Sequence, residues 1–261
     1  TTAYEISLGL VGSEMCIRDR ILLRNLKMTF RHLPPEELPQ IKQTNVNGKR
    51  HYETPSGTFI SITTLLSSQT PQGILEWRKS VGEDVANYVM RTAASRGSRV
   101  HDIIESYLNN KPLDNLTTDY GVLAAGLFNL MVPILDRIDN VRVLEKGIYS
   151  ERLGIAGRTD CIAEFDGKLS TIDFKTASKQ RDEINENYLI QATFYSLAWE
   201  ELTGQKIDQI AIITGTEDGY ASVKVDTPTK YVKRLEDIVE ELSLIHISEP
   251  TRPRLISYAV F

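Results

Sequence analysis

From about Pro71 to Leu108 apolar residues recur at helical spacing, with Val85, Val89 and Ala93 followed by Val100, Ile103, Ile104 and Leu108 on one stripe. Gly97 interrupts that stripe without a proline, which predicts a bend or a close packing contact rather than a stop. A further helix is expected over roughly residues 118 to 138. Beyond Val141 the pattern changes. VRVLEKGIYSE (141–151), GIAGRTDCIAEFDG (154–167) and KLSTIDFKTA (168–177) read as three consecutive strands, with Asp166-Gly167 as a tight turn. DEINENYLIQATFYSLAWEELTG is a long helix that stops at Gly204, IDQIAIITGT and YASVKV are two more strands, and TKYVKRLEDIVEEL is a closing helix. Ahead of all this, Asn47-Gly48 lies between two strand-like runs, and PSGTFISITTLLSS reads as a strand entering a short helix that Ser61 or Thr63 is placed to cap.

That order predicts an α/β (α+β) fold: one mixed central sheet with flanking helices, a helical subregion at 63–140 and a sheet-containing core at 141–241. The two ends are set apart from it. Residues 1–20 and 242–261 read as translated sequencing-adaptor DNA, each the reverse complement of the other when back-translated, so the expected domain is 21–241. Those 221 residues suffice for one well-cored domain.

A net charge of −5 excludes general coating of nucleic acid but leaves room for a local basic cleft. With Cys16 in the suspect N-terminal stretch, Cys161 stands alone, so neither an intrachain disulfide nor a cysteine-ligated iron–sulfur cluster is expected. No apolar run approaches transmembrane length, and a cytoplasmic protein is the expectation.

Four groups of polar residues exceed what a plain core requires. His101 and Glu105 stand four apart on one helix face. Asp160 sits inside a strand, where aspartate is disfavoured. In TIDFKT, Asp173 and Lys175 share one strand face while Ile172 and Phe174 share the other. Gln191 and Tyr195 share a face of the long helix. Each has an ordinary explanation: a structural histidine, a strand-start aspartate, an isolated ion pair, an interfacial glutamine with a core tyrosine.

Their order and spacing carry more than any one of them. Gly97, His101, Glu105, then Gly157 and Asp160, then Asp173 and Lys175, then Gln191 and Tyr195 resemble the RecB-like branch of the PD-(D/E)XK nuclease superfamily. The stretches FISITTLL and WRKSVGEDVANYVMRTAASRGSRVH are closer still to phage-encoded exonucleases and to mitochondrial genome maintenance exonucleases. The resemblance implies a restriction-endonuclease-like core and a divalent ion, Mg²⁺ or Mn²⁺, held by Asp160, Asp173, the Phe174 carbonyl and His101. It makes Asp160, Asp173, Lys175 and Gln191 catalytic, with Glu105, Glu145 and Tyr195 as further candidates. Glu145 and Glu151 compete for one role, and Glu145 is preferred. Arg96, Arg99 and Arg158 are available to phosphate, and Trp77 and Tyr107 to base stacking.

The function so implied is metal-dependent exonucleolytic hydrolysis of DNA, single-stranded or with free ends, in phage or bacterial replication, recombination or repair. A structure-specific endonuclease uses the same chemistry, and an inactive nucleic-acid-binding subunit is the rival from another class. Binding alone does not require Asp160, Asp173 and Lys175 together.

Overall fold

Three antiparallel strands open the computed structural model, which describes residues 29–34, 36–67 and 72–248. They are β1 (Lys42–Val46), β2 (Lys49–Thr54) and β3 (Gly57–Ser61). Asn47 and Gly48 take φ of 52° and 77°, the left-handed pair that a two-residue hairpin turn demands. Five helices follow: α1 (Ile62–Ser67), α2 (Gln72–Val81), α3 (Glu83–Leu108), α4 (Leu116–Tyr120) and α5 (Val122–Leu135). Next come β4 (Ile138–Ser150), β5 (Ile155–Phe165), β6 (Lys168–Ala177), α6 (Glu186–Thr203), β7 (Gln209–Thr216), β8 (Ala221–Asp226) and α7 (Val232–Ser248). The suspect stretch 1–20 lies outside the described residues, as does 249–261, while α7 runs on through Ser248.

The expected fold class holds: one mixed sheet of eight strands with helices on both faces. Its order is β1-β2-β3-β5-β6-β7-β8, with β4 paired to β5 off that path. The β5–β6 hairpin turns at Asp166 and Gly167, with φ of 51° and 75°. From β6 the chain crosses through α6 and returns as β7, parallel to β6. Asn185 caps α6, its side chain accepting from the Asn187 N–H at 3.0 Å, and Gly204 ends it at φ 72°.

Strand alternation divides the core in two. Cys161, Ala163, Phe165, Ile172, Phe174, Ala211 and Ile213 face α3 and α5, where Val100, Ile103, Ile104, Phe128 and Met131 cover them. The opposite face packs Ile148, Ile155 and Ile162 against α1, α6 and α7 through Leu65, Phe194, Trp199 and Leu235. Two readings of the sequence need correction. The helix expected over 118–138 is two helices broken at Gly121 (φ 90°), and the chain is already a strand by Ile138. Tyr107, a stacking candidate, is buried between Phe30 and Phe128 and donates its hydroxyl to Asp136 at 2.6 Å. Gly97 neither stops nor splits α3; it faces Thr176 at an ordinary contact distance.

Candidate active site

The site forms where β6 parts from β5. Their ladder pairs Phe165 with Lys168 and ends at Cys161 with Ile172. On the same side β3 pairs only with Ile155 and Ala156, so Gly157 to Asp160 have no strand partner there among the described residues. The Phe174 N–H, freed from β5 by the fork, is taken by Asp160 Oδ2 at 2.9 Å. A carboxylate thus replaces a missing rung of the ladder, which is why this strand tolerates an aspartate. Gly157 is also explained at the fork: a Cβ there would stand 2.8 Å from the Tyr195 ring and 2.9 Å from Ile62 Cγ2. Tyr195 of α6 packs directly on the bare backbone.

His101 reaches the fork from α3. Its Nε2 lies 2.8 Å from the Phe174 carbonyl oxygen, and since a carbonyl can only accept, Nε2 carries the hydrogen. Nδ1 therefore faces the carboxylates, 3.5 Å from Glu145 Oε1 and 3.7 Å from Asp160 Oδ1. Ligand atoms of His101, Glu145 and Asp160 all lie within 4.8 Å of one another. Glu145 enters because the register of Leu144 with Cys161 and Lys146 with Thr159 puts it across from Asp160. Its φ of 47° places a non-glycine residue in the left-handed region inside a strand, at a cost of about 1–3 kcal/mol. Arg158 holds it from outside, Nε lying 2.7 Å from Oε2 and 3.1 Å from the Glu145 carbonyl oxygen.

Asp173 and Lys175 occupy the α6 side of the fork. Asp173 is 1% exposed, and its Oδ2 lies 2.6 Å from Lys175 Nζ. That contact is an ion pair with poor hydrogen-bond angles, and neither Asp173 oxygen has a directed hydrogen bond. Lys175 Nζ also sits 5.0 Å from the centroid of the Tyr188 ring. Tyr188, Gln191 and Tyr195 recur at helical spacing on α6, and Gln191 Nε2 donates to the Tyr195 hydroxyl at 3.3 Å. Sequence reading named the last two and missed Tyr188, which lies on the same helical face but whose contact with Lys175 is tertiary.

The electrostatics follow from this crowding. Burial opposes a charge on His101, but Asp160, Glu145 and Asp173 outweigh it and lift the imidazole to about 9. Burial raises the Asp173 carboxyl to about 6 against the pull of Lys175, with Asp160 adding to the rise. Burial likewise opposes the Lys175 charge, yet Asp173 and Asp160 hold the ammonium protonated with its pKa raised. At neutral pH the imidazole and the Lys175 ammonium both carry their protons. Two Asp173 oxygens without hydrogen bonds, and an Nδ1 that faces two acids and becomes a donor once its proton is displaced, form a set that suits a divalent cation.

Of the residues picked from sequence, His101, Asp160 and Glu145 are brought together, and Asp173 and Lys175 flank them as a pair. The Phe174 carbonyl is already engaged by His101, Glu105 lies outside the group of converging donors, and Gln191 and Tyr195 form the wall behind Gly157. Glu151 sits beyond the end of β4, its N–H bonded to Glu201 at 2.8 Å. Arg96 is paired with Glu217 on the β7–β8 turn.

A profile of the PD-(D/E)XK nuclease superfamily matches residues 75–251, which takes in α3, α6 and strands β4 to β7 around the fork. The chain belongs to this superfamily. As a PD-(D/E)XK protein it is also similar to human mitochondrial genome maintenance exonuclease 1, at 28% identity over 214 residues, 75% of this chain. The mouse protein of that name is 30% identical over 136 residues. The chain spans 61% of the human relative's length and 40% of the mouse relative's. A solved candidate exonuclease of Eubacterium rectale shares 14% identity over 60% of this chain and 66% of its own, with a TM-score of 0.41, too loose a likeness to argue from.

Proposed function

We propose that this PD-(D/E)XK nuclease is a divalent-metal-dependent exonuclease acting on DNA strands with free ends, in the cytoplasm of a bacterium or phage-infected cell. One observation carries the reading: donors from three separated segments, His101, Glu145 and Asp160, converge beside a buried Asp173–Lys175 pair. A structural ion pair alone needs no such convergence. The mitochondrial relatives are named as exonucleases, which favours ends over internal bonds.

His101 Nδ1, Glu145 and Asp160 would hold the ion, with Asp173 adjoining, and Mg²⁺ or Mn²⁺ fits this oxygen-rich set with one imidazole. A bound ion supplies polarisation of the scissile phosphate and a water of lowered pKa. The protein residues do the rest. The Nε2–H contact to Phe174 fixes the His101 ring so that Nδ1 keeps its aim. Asp173, drawn against Lys175, anchors the ammonium where negative charge grows on the phosphoryl oxygens, and the buried setting strengthens that attraction over its value in water. Tyr188 limits where Nζ can go. Gln191 acts through Tyr195, keeping the wall behind Gly157 rigid.

The test is cleavage of end-labelled linear DNA and of circular DNA, single- and double-stranded, with Mg²⁺, Mn²⁺ or chelator. Metal-dependent loss of mononucleotides from linear substrates, intact circles, and a fall of about 100-fold or more in Asp173→Ala and Lys175→Ala are expected. Digestion of circles rejects the exonuclease reading; cleavage unaffected by chelator rejects the metal.

A further inference from the structure

A second feature lies on the far side of helix α3. Tyr88, Arg91, Ser95 and Arg99 recur at intervals of three and four and therefore share one face. At 100° per residue His101 is about 200° further round than Arg99, so that face looks away from the fork. Together with Tyr120 and the first turn of α5 it lines an open cavity of about 560 Å³, within the range that small-molecule sites occupy.

Its chemistry is that of an anion site. No carboxylate lines it, although the chain as a whole is acidic. The charge of Arg96, at its inner edge, is met by Glu217, but Arg91 and Arg99 have no ion-pair partner among the described residues. Arg99 Nη1 donates to the Tyr120 carbonyl oxygen, at 3.5 Å. The N-terminus of α5 opens into the same space: Gly121 gives it no side-chain cap, and the first N–H bonded within the helix is that of Ala125. The N–H groups of Val122 to Ala124 are thus without helical acceptors beside two uncompensated guanidinium groups. Gly121 takes φ 90°, a backbone conformation that favours glycine, and Arg99 Nη1 lies at ordinary contact distance from a Cβ placed there. Tyr88, 64% exposed, offers an aromatic face at the rim.

We infer that this cavity is a second nucleotide-phosphate site, separated from the metal centre by α3, in which Arg91, Arg99 and the α5 N-terminus hold the phosphate and Tyr88 or Tyr120 stacks the base. It deepens the nuclease reading by assigning a binding subsite remote from the reacting bond. The phosphate belongs either to a distant unit of the substrate strand or to a free nucleotide, and both present the same chemistry to the cavity.

Binding measured with chelator present tests the site apart from hydrolysis. Fluorescence anisotropy of labelled oligothymidylate is followed for the parent, for Arg91→Ala/Arg99→Ala and for Asp173→Ala, with thymidine monophosphate as competitor. The double variant is expected to bind about tenfold or more weakly, with an unchanged melting temperature and unchanged Mn²⁺ binding. Displacement of the oligomer by the mononucleotide identifies the free-nucleotide source; no displacement identifies the strand. The exposed Arg91→Glu variant stands in if the double variant melts early, and it too must weaken binding. Parent-like binding by the folded variants, or no binding by the parent, overturns the inference. Failure of the proposed hydrolysis reads out separately, as cleavage that is unaffected by chelator or that is undiminished in Asp173→Ala.

Discussion

Helix α3 has two halves that look alike in sequence and live in different surroundings. In the first, Val85, Tyr88, Val89 and Met90 are exposed and Ala86 is the buried residue. Its contacts with α2 are made through Arg78, which donates to Asn87 at 3.0 Å and to Met90 Sδ at 3.0 Å. In the second half Val100, Ile103, Ile104, Tyr107 and Leu108 are buried against the sheet. The same apolar spacing is a core stripe where the sheet lies under it and an open flank where it does not. The buried half fixes His101 to the fork, and the open half carries the cavity. One helix thus serves a site that needs rigidity and a surface that must stay accessible.

The sharpest way to break this contrast is by truncating the stripe. Ile103→Ala is expected to cost about 2–5 kcal/mol, read as a shift in urea unfolding, while Val89→Ala stays within about 0.5 kcal/mol. Equal costs would mean the open flank is covered. Next, His101→Ala should lower Mn²⁺ affinity by about 100-fold by calorimetry with the fold intact, since the residue sits at the surface of the core and is not part of it. Gly157→Ala forces Tyr195 and Ile62 to move and should cost about 1–3 kcal/mol of stability, whereas the same change at Gly73, a helical position where nothing lies within 4 Å of a Cβ, should stabilise by about 0.4–1 kcal/mol.

A pH effect follows from the charges at the fork. In metal-free protein the His101 imidazole should titrate by NMR near 9, above its ordinary 6.5. Its stabilising contribution is complete below about pH 6.5 and lost as pH rises through about 9, so the melting temperature falls across that window. Asp173 acts in the same direction at lower pH: a carboxyl raised from 3.8 to about 6 makes the folded state less favourable as pH climbs between those values. A melting temperature that rises from pH 7 to 9 would mean the imidazole is neutral. The smallest effect is expected of Arg158→Ala, whose side chain is 57% exposed: below about 1 kcal/mol in stability, with a few-fold loss in Mn²⁺ affinity through the loosened Glu145.

Much of the site was legible because its residue types are costly where they stand. An aspartate inside a strand, and an acid and a lysine on one strand face, require partners, and Asp160, Asp173 and Lys175 could be picked out on that ground together with their order. Glu145 was harder. A strand-edge acid is common, and nothing local distinguishes it from Glu151; the β4–β5 register and a left-handed φ bring it opposite Asp160. Tyr188 was hidden for the opposite reason, since an aromatic on a largely buried helix reads as core until Lys175 is seen beside it.

The chain's own chemistry determined its elements: alternation and left-handed Asn-Gly and Asp-Gly pairs set the hairpins, and Asn185 and Gly204 bounded α6. These are interactions within a few residues, so they are written locally. Where β6 leaves β5, which acid meets His101, and which half of α3 finds a sheet beneath it were decided by tertiary structure. Each depends on groups from distant segments competing for the same hydrogen bonds and apolar surface, and no short window of sequence contains that competition.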